Sequence, residues 1–278
     1  MNYTKPVVLI QNNYFEKLGR LIQPCLDFCV NHDHDFIDRS LTDEFDPDNL
    51  GADLSQWPGV IIYGSVGFLK RCRYSGLAPW AFYDPEAFAS STWVPVFGED
   101  SLNGDGVVIE VNELLKRLKA GERLHVRPDR DDKAFVGAVH DLASWKAMIE
   151  TRREERQRIP DPELPCFVSS VKPIRAEYRC WFVDDTLVDI STYRRNGEAH
   201  IERCLDPSVM KEVERLAGIY LPMSTVVMDV AETDNGYKVI EFNPINSSGW
   251  YGADVDGVFW ALSDMIRRGR LPKALGHE

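Results

Sequence analysis

The sequence lacks three features that would each assign it to a particular class of protein. No run of about eighteen apolar residues occurs, so we expect no segment that spans a membrane. The start, MNYTKPVVLIQNN, has neither a long apolar core nor a small-residue cleavage site, and we therefore expect no signal peptide. The six cysteines are scattered without a Cys-x-x-Cys pair, which argues against a disulfide framework and indicates free thiols in a reducing cytoplasm.

The sequence also contains fewer basic residues than acidic ones. The 32 lysines and arginines face 44 aspartates and glutamates, which gives a net charge of −12. This balance argues against a nucleic acid or an anionic membrane as the partner, since both bind basic surfaces. The length of 278 residues and the apolar content of 44% are those of a globular protein with a substantial core, in one large or two ordinary domains.

Apolar runs and prolines divide the chain into segments. Val7–Ile10 and Val60–Tyr63 have the composition of buried strands, and a helix is predicted from about Phe15 to Asn31, interrupted or kinked by Pro24. This alternation of strands and helices predicts a small parallel-sheet domain up to about residue 95. A later helix is predicted from about Leu142 to Ile159, and the prolines after it indicate a domain boundary.

The most informative stretch covers residues 226–248. Two runs of alternating apolar and polar residues flank the turn cluster Asp234-Asn235-Gly236, which predicts a β-hairpin. A two-residue turn would pair Asp229 with Phe242 and place the two acids of the hairpin on opposite faces. A three-residue loop closed by a left-handed glycine pairs Asp229 with Glu241 instead.

The three-residue loop is favoured because it gives the hairpin one fully apolar face. In that register the core side carries Met228, Val230, Ile240 and Phe242. The other face then carries Asp229, Glu241 and Asn243, an all-oxygen set that suits Mg²⁺ completed by waters and substrate phosphates. A solvated hairpin face with two acids and an amide is the alternative.

An earlier strand carries a second pair of charges. Glu177 and Arg179 alternate with Tyr178 and Cys180, so both project from one face of the strand, about 7 Å apart. A surface ion pair is one interpretation, but the neighbouring aromatic residues favour a role in a site.

Taken in order, these motifs resemble a known superfamily. An aspartate, a hairpin and then Glu241-Phe242-Asn243 followed by Ser247-Ser248-Gly249 are similar to the C-terminal metal strands of ATP-grasp enzymes. Within that superfamily the chain most resembles the RimK-related clade named for two arginines and a lysine. The resemblance covers about residues 55–262. It implies an α/β and α+β fold with an N-terminal Rossmann-like domain at 1–95, a lid subdomain at 96–160 and a C-terminal subdomain with the metal site at 161–270.

The resemblance also implies roles for individual residues. Arg127 and Lys133 would contact the phosphates of ATP, with Lys133 as the lysine of the clade; exposed cations that balance the acids of their loop are the alternative. The segment Ser169-Ser170-Val171 would be the hinge that binds adenine. Arg179 would contact phosphate or the developing acyl phosphate, and Glu177 the ribose or Lys133.

The acceptor side of the implied site is assigned from position. Tyr193 and Arg194 fall where relatives bring a strand to the acceptor. Asn246, Ser247 and Ser248 follow the end of the metal strand and would present the acceptor or a phosphate, since loops at strand ends often carry function.

The expected function is ADP-forming ligation of a carboxylate to an amine through an acyl phosphate, with ATP and Mg²⁺ as cofactors and Arg179 and Lys133 as catalytic residues. The partner would be a small-molecule or peptide acceptor, in the cytoplasm. Two alternatives use the same groups, namely a nucleotide-binding assembly factor without ligase turnover and a small-molecule kinase. The sequence leaves the acceptor and the oligomeric state open.

Overall fold

The computed structural model describes residues 4–13, 21–130 and 134–270. These residues form three separate β-sheets of three, four and five strands, with helices packed against them. Within this part of the chain, none of the helices has the length and apolar content needed to cross a membrane.

The N-terminal sheet is parallel, with the strand order β2-β1-β3. Its strands are β1 (Val7–Gln11), β2 (Phe36–Arg39) and β3 (Val60–Tyr63), and its helices are α1 (Gln23–Asn31) and α2 (Val66–Arg73). Every residue of the central strand β1 and of its neighbour β3 is buried, as expected for parallel strands covered on both faces. Pro24 lies in the first turn of α1 rather than at a kink, where its missing N–H has no helical partner to lose.

The second sheet, here called the lid sheet, is antiparallel with the order β4-β7-β5-β6. Its strands are β4 (Val107–Glu110), β5 (Leu124–Pro128), β6 (Ala138–His140) and β7 (Pro165–Ser170). The helices α4 (Val111–Lys119) and α5 (Leu142–Glu154) cover it, after α3 (Ser90–Phe97) leads in from the N-terminal part. Strand β7 thus pairs inside the lid sheet, although the expected boundary at 160/161 assigns it to the C-terminal subdomain. The pairing favours a division after Ser170.

The third sheet is antiparallel with the order β10-β9-β8-β11-β12. Its strands are β8 (Ala176–Val183), β9 (Thr186–Arg195), β10 (Glu198–Arg203), β11 (Val226–Thr233) and β12 (Gly236–Asn243), and its helices are α6 (Pro207–Ala217) and α7 (Val255–Arg267). We call it the C-terminal sheet.

The N-terminal and C-terminal sheets share one apolar core, to which the lid sheet contributes Phe167. A single buried cluster includes Val8 and Phe28 from the N-terminal part together with Trp181, Met228 and Phe259 from the C-terminal part. The lid sheet packs its own cluster, built on Leu114, Val126, Trp145 and Val168. The N-terminal and C-terminal parts therefore form one packed body, against which the lid is a smaller unit.

The loop after β12 fastens the C-terminal sheet to the N-terminal one. The Asn246 side chain accepts a hydrogen bond from the Phe82 N–H (2.8 Å) and donates to the carbonyls of Ile62 (2.8 Å) and Trp80 (3.2 Å). The Gly64 N–H donates to the Asn246 carbonyl at 2.9 Å. Because Asn246 is 2% exposed, these bonds satisfy backbone groups that would otherwise be buried without partners.

Candidate nucleotide and acceptor site

A cavity of about 830 Å³ lies between the lid sheet and the C-terminal sheet. Its lining includes two glutamates, Glu177 and Glu241, and six cations, namely Arg127, Arg130, Arg152, Arg158, Lys172 and Arg194. The whole chain carries a net charge of −12, so this cavity reverses the overall sign of the protein. Such a concentration of positive charge suits an anionic ligand.

The hairpin of β11 and β12 brings the predicted metal residues together. Asp229 pairs with Glu241, as expected, and Asn243 pairs with Val227. The loop differs from the prediction, because Thr233 pairs with Gly236 and leaves only Asp234 and Asn235 between the strands. The register then shifts by one residue between Asp229 and Val230, which restores the expected pairing through a β-bulge.

The bulge changes where Ile240 points. Ile240 was expected on the core side, but it lines the cavity together with its neighbour Glu241. Val239, at 0% exposed, takes the core position instead. Two consecutive residues can face the same side because the extra residue of a bulge breaks the strict alternation of the strand.

The carboxylate of Asp229 is engaged by Arg179 from the neighbouring strand β8. Arg179 Nε donates to Asp229 Oδ1 at 2.9 Å and Nη2 donates to Oδ2 at 2.7 Å, a bidentate pair. Both side chains are buried, with 9% and 1% exposed. Burial raises the pKa of Asp229 to about 6, and the attraction of Arg179 works against that shift.

Asn243 links the two carboxylates. Its Nδ2 donates to Glu241 Oε1 at 3.0 Å and to Asp229 Oδ2 at 3.3 Å. Glu241 in turn accepts from Arg127, with Nη2 at 2.9 Å from Oε2. Among the described residues, no group of three acidic, histidine or cysteine side chains could hold a metal ion. A metal here would depend on two carboxylates and one amide, hard oxygen donors of the kind that Mg²⁺ takes when a ligand and waters supply the rest.

Arg127 reaches Glu241 from the end of β5, on the opposite wall of the cavity. The residues that follow it are anchored elsewhere. Asp129 accepts hydrogen bonds from the Ser91 N–H (2.8 Å) and the Ser91 hydroxyl (2.7 Å), at the start of α3. These bonds anchor Asp129 to the start of α3. Lys133, predicted beside Arg127, lies outside the described residues.

One more titratable side chain faces the cavity from β5. Burial and the nearby charge of Arg127 lower the pKa of His125 to about 4, so its imidazole is neutral at physiological pH. The Nδ1 atom of His125 is buried and has no hydrogen-bond partner in the part of the chain that the structure describes.

The predicted hinge contains two different environments. Ser169 is buried and donates to Asn103 Oδ1 at 2.9 Å, whereas Ser170 and Val171 line the cavity. The Ser170 N–H donates to Asp105 Oδ2 at 3.1 Å, and Lys172 forms an ion pair with the same carboxylate. Asn103 and Asp105 were not identified from the sequence, because nothing in their local pattern marks them as hinge partners.

The predicted acceptor residues on β8 and β9 form a connected group. Glu177 accepts from the Tyr193 hydroxyl at 2.7 Å and from Arg194 Nη1 at 3.1 Å, and all three line the cavity. Burial and the acids Asp229 and Glu177 raise the pKa of Tyr193, which therefore stays a neutral hydrogen-bond donor.

The predicted residues after β12 do not join that group. The side-chain amide of Asn246 forms the backbone hydrogen bonds described above. The Ser248 hydroxyl donates to the Pro244 carbonyl at 2.9 Å. Ser247 is half-buried in the short helical turn Ile245–Ser247. None of the three lines the cavity. Asn246 and Ser248 therefore lie at the junction between the sheets, and their contact with the acceptor stays a prediction.

Comparison with known proteins places this arrangement in a family. A family model of the ATP-grasp domain, family 3 of the clade named for two arginines and a lysine, matches residues 97–262, more than half of the chain. A search of curated proteins gave no significant match.

Solved structures match over nearly the whole chain. D-alanine–D-alanine ligase from Bacillus anthracis, complexed with ATP, is 15% identical with a TM-score of 0.59, covering 96% of this chain and 98% of that one. A RimK domain ATP-grasp protein from Sphaerobacter thermophilus is 13% identical with a TM-score of 0.58, covering 94% and 99%. The ATP-grasp ligase PsnB, with minimal precursor, Mg and ADP, is 13% identical with a TM-score of 0.53, covering 97% and 98%. At these identities the likeness shows the fold alone, and it confirms the fold expected from the motifs.

Proposed function

Because the chain belongs to family 3 of the ATP-grasp clade named for two arginines and a lysine, we propose that it is an ADP-forming ligase that joins a carboxylate to an amine. One observation carries the proposal. The cavity between the lid sheet and the C-terminal sheet concentrates six cations in an acidic chain, and Arg127 and Glu241 meet in it at 2.9 Å.

The phosphates of ATP would lie beside Arg127. The guanidinium of Arg127 can contact two phosphate oxygens at once. In this structure it pairs with Glu241, which is a proposed metal ligand. Lys133 remains a second proposed phosphate contact. The hinge residues Ser169, Ser170 and Val171 remain proposed for adenine, with Ser170 and Val171 lining the cavity.

The donor set of Asp229, Glu241 and Asn243 fits Mg²⁺ in chemistry, since each side chain carries an oxygen donor. Asn243 Nδ2 lies between the two carboxylates and donates to both. When bound, Mg²⁺ would neutralise charge on the phosphates. In this structure, Arg127 pairs with Glu241 and Arg179 pairs with Asp229, so each carboxylate has a guanidinium beside it.

The acid and amine substrates would lie toward Glu177, Tyr193 and Arg194. Arg194, half exposed, can meet a carboxylate, and Glu177 can meet an amine. Arg179 lies next to this group, where its charge would stabilise the acyl phosphate as it forms. The substrate class is an amino acid, a peptide or a similar small acceptor, and the structure of PsnB, whose fold this chain shares, is complexed with a precursor peptide.

The test is release of ADP from MgATP across a panel of amino acids and short peptides, with Glu241→Ala as the blank. Glu202→Ala is the matched control, since Glu202 lies exposed on the edge strand β10. We expect one compound to stimulate ADP release in the wild type and in Glu202→Ala but not in Glu241→Ala. The mass of the product separates ligation from phosphorylation of the acceptor. Absence of stimulation by the whole panel, with MgATP bound, would contradict a ligase of amino acids or peptides.

A further inference from the structure

The hydrogen bonds of the buried Arg179 leave two N–H groups of its guanidinium without an acceptor among the described residues. A guanidinium carries five N–H groups, and Asp229 takes one from Nε and one from Nη2. The Gly249 carbonyl accepts one from Nη1 at 3.2 Å. Within the described residues no further acceptor is bonded to it, so one N–H remains on each terminal nitrogen. Such a fork matches a carboxylate or a phosphoryl group.

The loop that supplies Gly249 is fixed by Trp250. The Trp250 ring is 5% exposed, stacks 4.7 Å from the ring of Trp181 and donates from Nε1 to the Leu21 carbonyl at 3.0 Å. The residues on either side of this anchor both reach Arg179. Gly249 does so through its carbonyl, and Tyr251 through its ring, whose centroid is 4.8 Å from Arg179 Cζ.

Tyr251 adopts a backbone conformation that is unusual for its residue type. Its φ is +47°, in the left-handed region that residues with a Cβ rarely occupy. The residue is 42% exposed, so burial in the core does not account for the conformation. In this conformation the Tyr251 ring contacts the guanidinium of Arg179.

A second tyrosine completes the contact. The Tyr193 ring centroid lies 5.6 Å from Arg179 Cζ and 5.4 Å from the Tyr251 ring. These three distances form a triangle, so the cation lies against a pair of rings rather than between them. Aromatic faces attract a guanidinium at such distances, and the attraction grows where water is excluded.

We propose that Tyr251 is a positioning residue for Arg179. Together with the Gly249 carbonyl, it holds the guanidinium so that its two remaining N–H groups meet a carboxylate or phosphoryl group of the substrate. This inference rests on the proposed function, because ligation through ATP passes a phosphoryl group to a carboxylate. Neither Tyr251 nor Gly249 carries a pattern in the sequence that would reveal this contact.

The first test requires no turnover. The Nε–H of Arg179 is observed by NMR in protein labelled with ¹⁵N-arginine, and the signal is assigned with Arg179→Lys. We expect Tyr251→Phe to keep the wild-type shift and exchange rate with water. Tyr251→Leu and Tyr251→Asn, which lack the ring, should exchange about fivefold to thirtyfold faster, the range that loss of a partly desolvated cation–π contact implies.

The choice of variants separates positioning from folding. Asparagine tolerates a positive φ, so Tyr251→Asn removes the ring without adding backbone strain. Tyr74→Leu is the control, because the Tyr74 ring also lies 6.0 Å from a guanidinium, that of Arg73, but is 81% exposed and does not line the cavity. Wild-type exchange at Arg179 in both Tyr251→Leu and Tyr251→Asn would overturn the proposal.

The second test uses the acceptor found in the ADP-release panel. We expect the two variants without the ring to lose about fivefold to thirtyfold in kcat, with KM for MgATP unchanged and with full rescue in Tyr251→Phe. An equal loss in Tyr251→Phe would contradict a role for the aromatic face. If the wild type shows no turnover, the proposed function fails, and the NMR comparison still decides the role of Tyr251.

Discussion

Arg127 on lid strand β5 and Glu241 on C-terminal strand β12 form an ion pair across the cavity, with Nη2 2.9 Å from Oε2. The Arg127 side chain is 9% exposed and that of Glu241 is 28% exposed. The pair is a direct charge contact between the two walls of the proposed nucleotide site. It therefore bears both on the stability of the lid and on the entry of a ligand.

The first prediction concerns the stability of that pair. Arg127→Gln leaves Glu241 without its guanidinium in a largely buried setting, and we expect a loss of about 1–2 kcal/mol in the free energy of unfolding. The double variant Arg127→Gln/Glu241→Gln should lose less than the sum of the single variants, by about 1 kcal/mol, because each single variant already removes the attraction between the two charges. Urea unfolding of the four proteins measures the coupling. Strict additivity would show that the pair makes no net contribution.

The second prediction concerns the metal. If Glu241 holds Mg²⁺, then Glu241→Gln should reduce the affinity for a non-hydrolysable ATP analogue with Mg²⁺ present to about the value found without it. Calorimetric titration with and without Mg²⁺ measures the difference. Glu202→Gln is the control, since Glu202 lies on the exposed edge strand β10. An unchanged Mg²⁺ dependence in Glu241→Gln would remove Glu241 from the metal site.

The hairpin of β11 and β12 could be predicted from the sequence in part. Alternation predicts both strands, and the pairing of Asp229 with Glu241 is confirmed. The three-residue loop is wrong, because the chain uses a two-residue turn and a bulge. A three-residue loop gives the same strand pairing as a two-residue turn followed by a bulge at every position beyond the bulge. They differ between the turn and the bulge, where the predicted register places Ile240 in the core and the structure places Val239 there. The sequence does not separate the two registers, because valine and isoleucine suit the core equally well.

The subdomain boundary depended on contacts that a local pattern does not contain. The prolines do follow the end of helix α5. However, strand β7, which comes after them, pairs with β4 and β5 of the lid sheet. Its partners are more than thirty residues away in sequence. In the same way, Asn246 has the polarity expected of a substrate contact. Its bonds to Ile62 and Phe82 arise only when the N-terminal and C-terminal parts pack together.

The third prediction separates a structural role of Asp229 from a metal-binding one. Asp229→Ala leaves the guanidinium of Arg179 buried without its carboxylate, and we expect a loss of about 3–5 kcal/mol in the free energy of unfolding. The double variant Arg179→Met/Asp229→Leu should recover most of that loss, because both charges are then absent. Thermal unfolding measures both. If Asp229→Ala unfolds like the wild type, the ion pair does not stabilise the fold and a metal role is favoured.

The last prediction concerns pH. The folded pKa of His125, about 4, is below the ordinary value of 6.5, so the folded state resists protonation more than the unfolded state does. Its contribution to stability is therefore complete above pH 6.5 and is lost as the pH falls toward 4. The shift corresponds to about 3 kcal/mol.

Asp229 titrates in the opposite sense, because its folded pKa is raised to about 6, so the total pH dependence mixes the two groups. The comparison that isolates the imidazole is between the wild type and His125→Gln, which has no titrating ring. We expect urea unfolding to show the wild type losing more stability than His125→Gln between pH 7 and pH 4.5, by about 2 kcal/mol. Parallel curves for the two proteins would mean that His125 protonates as easily in the folded chain as in the unfolded one. In that case burial beside Arg127 would not hold the imidazole neutral.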